Sequence, residues 1–179
     1  MKLQKIVVLF ALIALSGTMR AQHPDKADER EQLHFSAEDE TVRRPASVPQ
    51  DVLTILEGDR DVAESLKEQK LQPDQLPISW FLASKVHLHE PGQSDLIVVA
   101  AGALMGANVT KFWVFGRTAH GSELLLAVPA HDLIIRNSRW QGYRSIEAAA
   151  MTASTISTVL FRFNGSVYEP YRTSSEKIP

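Results

Sequence analysis

The chain has 179 residues, a formal net charge of −2, 44% hydrophobic residues and no cysteine. That near-neutral balance excludes the clustered basic surface that nucleic acid or an anionic membrane requires. The missing thiols exclude disulfides, a cysteine nucleophile and the cysteine-based structural zinc modules, so the fold depends on its own core.

Lys2 and Lys5 precede an uninterrupted apolar run, Ile6 to Leu15, and Ser16-Gly17-Thr18 leads to a cleavage position after Ala21. This is the pattern of a secretory signal over residues 1–21. A run of ten apolar residues falls short of the about 20 that a helix needs to cross a bilayer. An uncleaved N-terminal anchor is the competing reading, because Met19 is only a fair residue at the −3 position. No later segment has the length or polarity of a membrane span. The expected localisation is therefore export to the periplasm or the medium. After cleavage about 158 residues remain, the length of one domain.

Residues 22–46 carry seven acidic and four basic side chains, and Leu33, Phe35 and Val42 are their only large apolar residues. So little apolar surface does not offset the entropy of ordering the chain, so a disordered polar leader is expected. Order is expected over 47–174, with a flexible tail over 175–179.

"SVPQ" from Ser47 offers a Ser N-cap, an early Pro and a Gln at N3. Val48, Val52, Ile55 and Leu56 follow at helical spacing, with Gly58 as a stop. A second short helix fits 61–69, and the two prolines of "LQPDQLP" end it. From Ile78 the period becomes two: Trp80, Leu82, Val86 and Leu88 alternate with Phe81, Ala83, Lys85, His87 and His89. Residues 95–101 form a continuous apolar strand suited to burial on both faces. Strands are further expected over 111–117, 122–128, 132–137, 143–149, 155–163 and 167–171. "TAHG" reads as a hairpin loop, and Asn164-Gly165 as a type I′ turn. Helices confined to the front of a strand series predict an α+β fold. Its expected form is two short N-terminal helices followed by an antiparallel β-meander of about eight strands, closed as a barrel, split as a sandwich or arranged like blades.

Few residues point to chemistry. His87 and His89 share one face of an alternating strand, where two imidazoles suit a metal, with His120 or His131 as a third ligand. Lys85 on that same face opposes a cation, and the polar side of an ordinary strand is the favoured account of the pair. The acids of the folded part are scattered over helices and turns, and no G-x-S-x-G elbow is present. No metal or other cofactor is expected, and no catalytic residue is assigned. The aromatic and arginine residues offer more: Arg139, Trp140, Tyr143 and Arg144 in "RWQGYR", with Tyr168 and Tyr171 alternating on the last strand. Tyr, Trp and Arg are enriched where proteins bind partners. Cross-strand packing within the sheet is the competing account of these six residues.

The stretch from His87 to Val99 resembles the calcium loop of FG-GAP repeats, D-x-N-x-D-G-x-x-D-L, with Gly92 at the loop glycine and Asp95-Leu96 leading the following strand. The resemblance is degenerate, since His87, His89 and Pro91 stand where that pattern has its oxygen ligands. It implies a loop that keeps its turn and has lost its ion. More broadly, "FWVF", "ELLL", "GYRSIE" and "FRFNGSVY" resemble small exported bacterial β-proteins without assigned function, which implies an architecture and no activity.

The leading expectation is an exported, non-catalytic binding or accessory protein that engages a protein or glycan, with an inhibitor-like role suited to its size. The alternatives are a hydrolase using loop carboxylates or the His87/His89 face, and a purely structural envelope component. Oligomeric state is not specified by the sequence.

Overall fold

The computed structural model of the chain describes residues 31–89 and 94–178. The expected signal over 1–21, the first part of the expected leader and residues 90–93 of the Pro-Gly turn lie outside the described residues. Strand β1 (His34–Ser36) comes first, followed by helices α1 (Gln50–Glu57) and α2 (Arg60–Glu68). Strands β2 (Phe81–Val86), β3 (Asp95–Ala100), β4 (Thr110–Thr118) and β5 (Gly121–Ala130) form one antiparallel sheet in that order. A second sheet orders β1, β6 (Asp132–Trp140), β7 (Tyr143–Met151), β8 (Thr155–Phe163) and β9 (Tyr168–Lys177). The expected series of strands is thus two consecutive meanders, and neither sheet closes into a barrel.

Alternation along β3 and β4 builds three layers. Leu96, Val98, Trp113 and Phe115 turn toward the helices and pack with Val52, Leu56, Val62 and Leu66. Ile97, Val99, Phe112 and Val114 turn the other way and pack with Leu133, Ile135, Ile146 and Phe161 of the second sheet. A sheet covered on both faces favours apolar residues along the whole strand, which is why 96–100 reads as an unbroken run. The same double burial alters β2. Phe81 and Ala83 face the helix layer instead of solvent, while Val86 and Leu88 enter the inter-sheet core as expected. Ile78 and Trp80 lie in a 3-10 turn that precedes the strand.

The expected leader is corrected from residue 31 onward. Phe35 of β1 pairs with Leu133 and is 1% exposed within the inter-sheet core. Further along, Ala46 N–H donates to Ala83 O at 2.9 Å, and Pro45 bridges to Ser84. One segment therefore covers the free edge of β6 and then part of the free edge of β2, closing two rows of otherwise unpaired backbone groups. Overall polarity concealed this role because one deeply inserted Phe and a few backbone bonds suffice for it. The expected tail is corrected too: β9 runs to Lys177, which pairs with Thr155.

Local expectations shift for definable reasons. Helix α1 starts at Gln50 with Pro49 in the cap position and no side-chain cap, so Ser47 does not cap it. Proline disfavours helical geometry in the residue before it, which delays entry past Val48. Gly58 ends α1 with φ −80, a right-handed conformation, because Asp59 caps α2 immediately afterwards by accepting from Asp61 N–H at 2.9 Å. The two-residue turn with both φ values positive falls at Gln141 (φ 49) and Gly142 (φ 82), the type I′ signature. Asn164 instead opens a longer connection, in which its Oδ1 accepts from Ser166 N–H and Val167 N–H, each at 2.9 Å.

Candidate functional site

The β6–β7 turn and the β8–β9 connection meet at one end of the five-stranded sheet. A Cβ placed on Gly165 would lie 3.4 Å from Gln141 Oε1. The β6–β7 turn sets Trp140 at the rim, 48% exposed, and β9 carries Tyr171 out beside it, 58% exposed. Between them Arg162 projects from β8. Its Cζ lies 3.5 Å from the Tyr171 ring centroid and 4.8 Å from that of Trp140. A guanidinium held against two π faces gains electrostatic attraction and loses side-chain freedom. These residues, with Gln141, Asn164 and Glu169, line an open cleft of about 400 Å³.

The polar groups of this cleft are largely uncommitted within the protein. Among the described residues, Arg162 makes no hydrogen bond or ion pair, although Glu169 is its direct cross-strand partner. Arg162 therefore keeps its guanidinium N–H donors unpaired within the protein, beside two aromatic rings. Asn164 spends its carbonyl oxygen on the loop and keeps its amide hydrogens for other partners.

The remaining expected binding residues lie on the inner side and hold the site together. Tyr143 stacks on Phe163 with centroids 3.9 Å apart and on His89 at 5.0 Å, and Tyr168 meets it edge-on at 6.4 Å. Tyr168 is 5% exposed and its hydroxyl donates to Arg144 O at 2.8 Å. Burial raises its phenol pKa far above the ordinary value, so it serves as a neutral donor. Arg144 is buried, donating from Nη1 to Glu31 Oε2 at 3.0 Å and from Nη2 to Asn137 Oδ1 at 2.7 Å. Arg139 Nη1 donates to Gly142 O at 2.7 Å and braces its own turn. The expectation that all six residues share one binding surface is thereby corrected: Trp140 and Tyr171 face outward, while Tyr143, Arg144 and Tyr168 are packing residues and Arg139 is a turn brace.

The two histidines do not converge. β2 ends at Val86, so the period-two argument no longer applies to them. His87 Nδ1 lies 3.4 Å from Glu31 Oε1, whereas His89 Nδ1 lies 3.1 Å from Asp95 Oδ2. His131, the expected third ligand, turns to Asp132 at 3.1 Å, and His120 sits in the β4–β5 turn. Among the described residues no group of three or more His, Cys, Asp or Glu side chains could hold a metal ion. Asp95, which leads the strand after the calcium-loop-like stretch, is fully buried and accepts from Leu88 N–H at 2.9 Å and Arg117 N–H at 3.3 Å. Its carboxylate ties the backbone after β2 to that of β4.

No protein-family model, curated protein or solved structure matches the chain. The functional reading therefore rests on the site itself.

A larger cleft of about 580 Å³ lies between the N-terminal segment and β3, with Lys85 and Arg117 on its walls. Arg117 is partly engaged, donating to Ser122 Oγ at 3.1 Å and lying 3.9 Å from Asp51. That cleft has no aromatic wall, so the end-of-sheet cleft carries the stronger case. Arg162 was missed in the sequence because its aromatic neighbours are not adjacent along the chain. The usable signal was its place on β8, beside the strand carrying Tyr171.

Proposed function

We propose that this protein is an exported binding or accessory module that engages its partner through the end-of-sheet cleft around Arg162. The Trp140–Arg162–Tyr171 stack is the observation that carries the reading. Aromatic and arginine side chains supply large contact area at small conformational cost, which is why they dominate binding hot spots. Large aromatic rings left half exposed around a cation without a hydrogen-bonding partner are available to a ligand, whereas partly buried Tyr143 and buried Tyr168 pack against the core. The signal-like N-terminus supports export, and the cleft's mixture of apolar faces and amide, carboxylate and guanidinium groups supports a protein or glycan partner. An inhibitor-like role fits the same geometry, with the cleft docking on another envelope protein.

Arrays of glycans and of envelope-derived peptides, probed with the purified chain and with a Trp140→Ala/Tyr171→Ala variant, test this reading. Selective retention of the wild type, reduced at least tenfold in the double variant, is the expected result. Equal retention of both proteins on every spot would remove the cleft from consideration.

A further inference from the structure

We infer that the cleft's ligand is an acidic carbohydrate, a uronic-acid-bearing glycan whose carboxylate is received by Arg162. This rests on the proposed binding role of the cleft and narrows it to one ligand class. Tyr171 lies against the guanidinium, its ring centroid 3.5 Å from Cζ, and Trp140 lies beside it at 4.8 Å, which leaves the guanidinium edge and its N–H donors for a ligand. That edge carries parallel N–H donors at the spacing of a planar carboxylate, the geometry of a bidentate pair. Stacking holds the fork in place beforehand, so little entropy is lost when a carboxylate arrives.

The surroundings distinguish a sugar acid from a bare anion. Glu169, directly across the strand pair from Arg162, makes no ion pair with it and stays exposed in the cleft wall. An anion without hydroxyls would meet repulsion from Glu169 with nothing to offset it, whereas a sugar acid brings hydroxyls that donate to the Glu169 carboxylate. The amide hydrogens of Asn164 and the amide of Gln141 add donors and an acceptor for the remaining hydroxyls. Tyr171 and Trp140, both about half exposed, keep apolar ring surface for the C–H face of a pyranose. Carboxylate, hydroxyls and an apolar ring face occur together in a hexuronate. An acidic peptide supplies the first without the array of hydroxyls.

Isothermal titration calorimetry on the full chain tests this with three probes: trigalacturonate, galactotriose and pentaglutamate. The expected order is trigalacturonate at least tenfold tighter than galactotriose, with pentaglutamate weakest. Arg162→Gln is expected to bring trigalacturonate down to the level of galactotriose. Arg162→Lys is expected to recover only part of the preference, because an ammonium keeps the charge without the fork. Unchanged circular dichroism of both variants excludes misfolding as the cause. Equal binding of the two sugars would overturn the carboxylate assignment and leave the binding role intact. Pentaglutamate binding as tightly as trigalacturonate would overturn the carbohydrate assignment. Absence of binding by all three probes would overturn the inference, and a blank array would overturn the binding role with it.

Discussion

Glu31 Oε2 receives a hydrogen bond from Arg144 Nη1 at 3.0 Å across 113 residues of sequence, and Arg144 lends its own carbonyl to Tyr168. The N-terminal segment is thereby pinned to the strands that support the cleft. Glu31→Gln would leave the buried guanidinium with neutral acceptors alone, Asn137 and Arg136 O among them, and no counter-charge. Stability should fall by about 1–3 kcal/mol, as expected when a buried charge loses its counterpart. Urea unfolding of the two proteins measures the difference.

Phe35 fills the inter-sheet core from a strand of only three residues. Replacement by Ala should cost about 3–5 kcal/mol, the range for deleting a fully buried aromatic ring. Truncation before residue 37 should cost at least as much. A loss below about 1 kcal/mol for Phe35→Ala, read by thermal or urea unfolding, would mean that the segment does not belong to the core.

Lys111 joins the helix layer to β4, with Nζ 2.8 Å from Asp59 and 2.6 Å from Asp61, while Trp113 Nε1 donates to Asp59 at 2.9 Å. Burial alone would raise the Asp59 pKa. Hydrogen bonds from Lys111, Trp113 and Asp61 N–H outweigh it and hold the carboxyl below its ordinary 3.8. For Lys111 burial opposes the charge, and the two carboxylates raise its pKa above 10.5 nonetheless. The Asp59 contribution is therefore present above about pH 4 and disappears as pH falls through its depressed pKa. The Lys111 contribution is present below about pH 10.5 and disappears as pH rises through its elevated pKa. Lys111→Met should cost about 2 kcal/mol at pH 7 and less at a strongly acidic pH, as Asp59 takes up a proton on passing through its depressed pKa. Denaturant titrations at the two pH values check the narrowing.

The β6–β7 turn holds Gln141 at φ 49 and Gly142 at φ 82, and nothing lies within 4 Å of a Cβ added at Gly142. Gly142→Ala therefore tests backbone conformation without steric contact and should cost about 1 kcal/mol. Gln141→Asn keeps the amide and suits the left-handed region, so it should raise stability by about 0.5 kcal/mol. Differential scanning calorimetry of both variants reads the opposite signs.

The sequence made legible what depends on period and on turn chemistry. Continuous burial of 95–100 and the strands from 110 to 163 follow from alternation, and both helices lie within a few residues of their expected positions. Composition misled at both termini. Phe35 is one apolar residue in a charged segment, and β9 beyond Tyr171 is polar because it is an edge strand. Asn164-Gly165 carried the stronger type I′ signature, yet Asn164 prefers to cap its own loop and the turn formed at Gln141-Gly142. The cleft was half legible. Trp140 and Tyr171 were recognisable as aromatic candidates, but Arg162 joins them only through pairing of β8 with β9 and proximity to the β6–β7 turn. Such proximity depends on register and is invisible in a linear window.

Binding of ligand at the cleft between Trp140, Arg162 and Tyr171 is directly measurable. A two-dimensional nitrogen–proton spectrum, followed during titration with the ligands retained on the arrays, tests it most directly. The account predicts saturable shifts of the Trp140 indole N–H, the Arg162 Nε–H and the Gln141 side-chain amide, with little change at Lys85 and Arg117. Shifts centred on Lys85 and Arg117, with Trp140 and Arg162 unmoved, would contradict it.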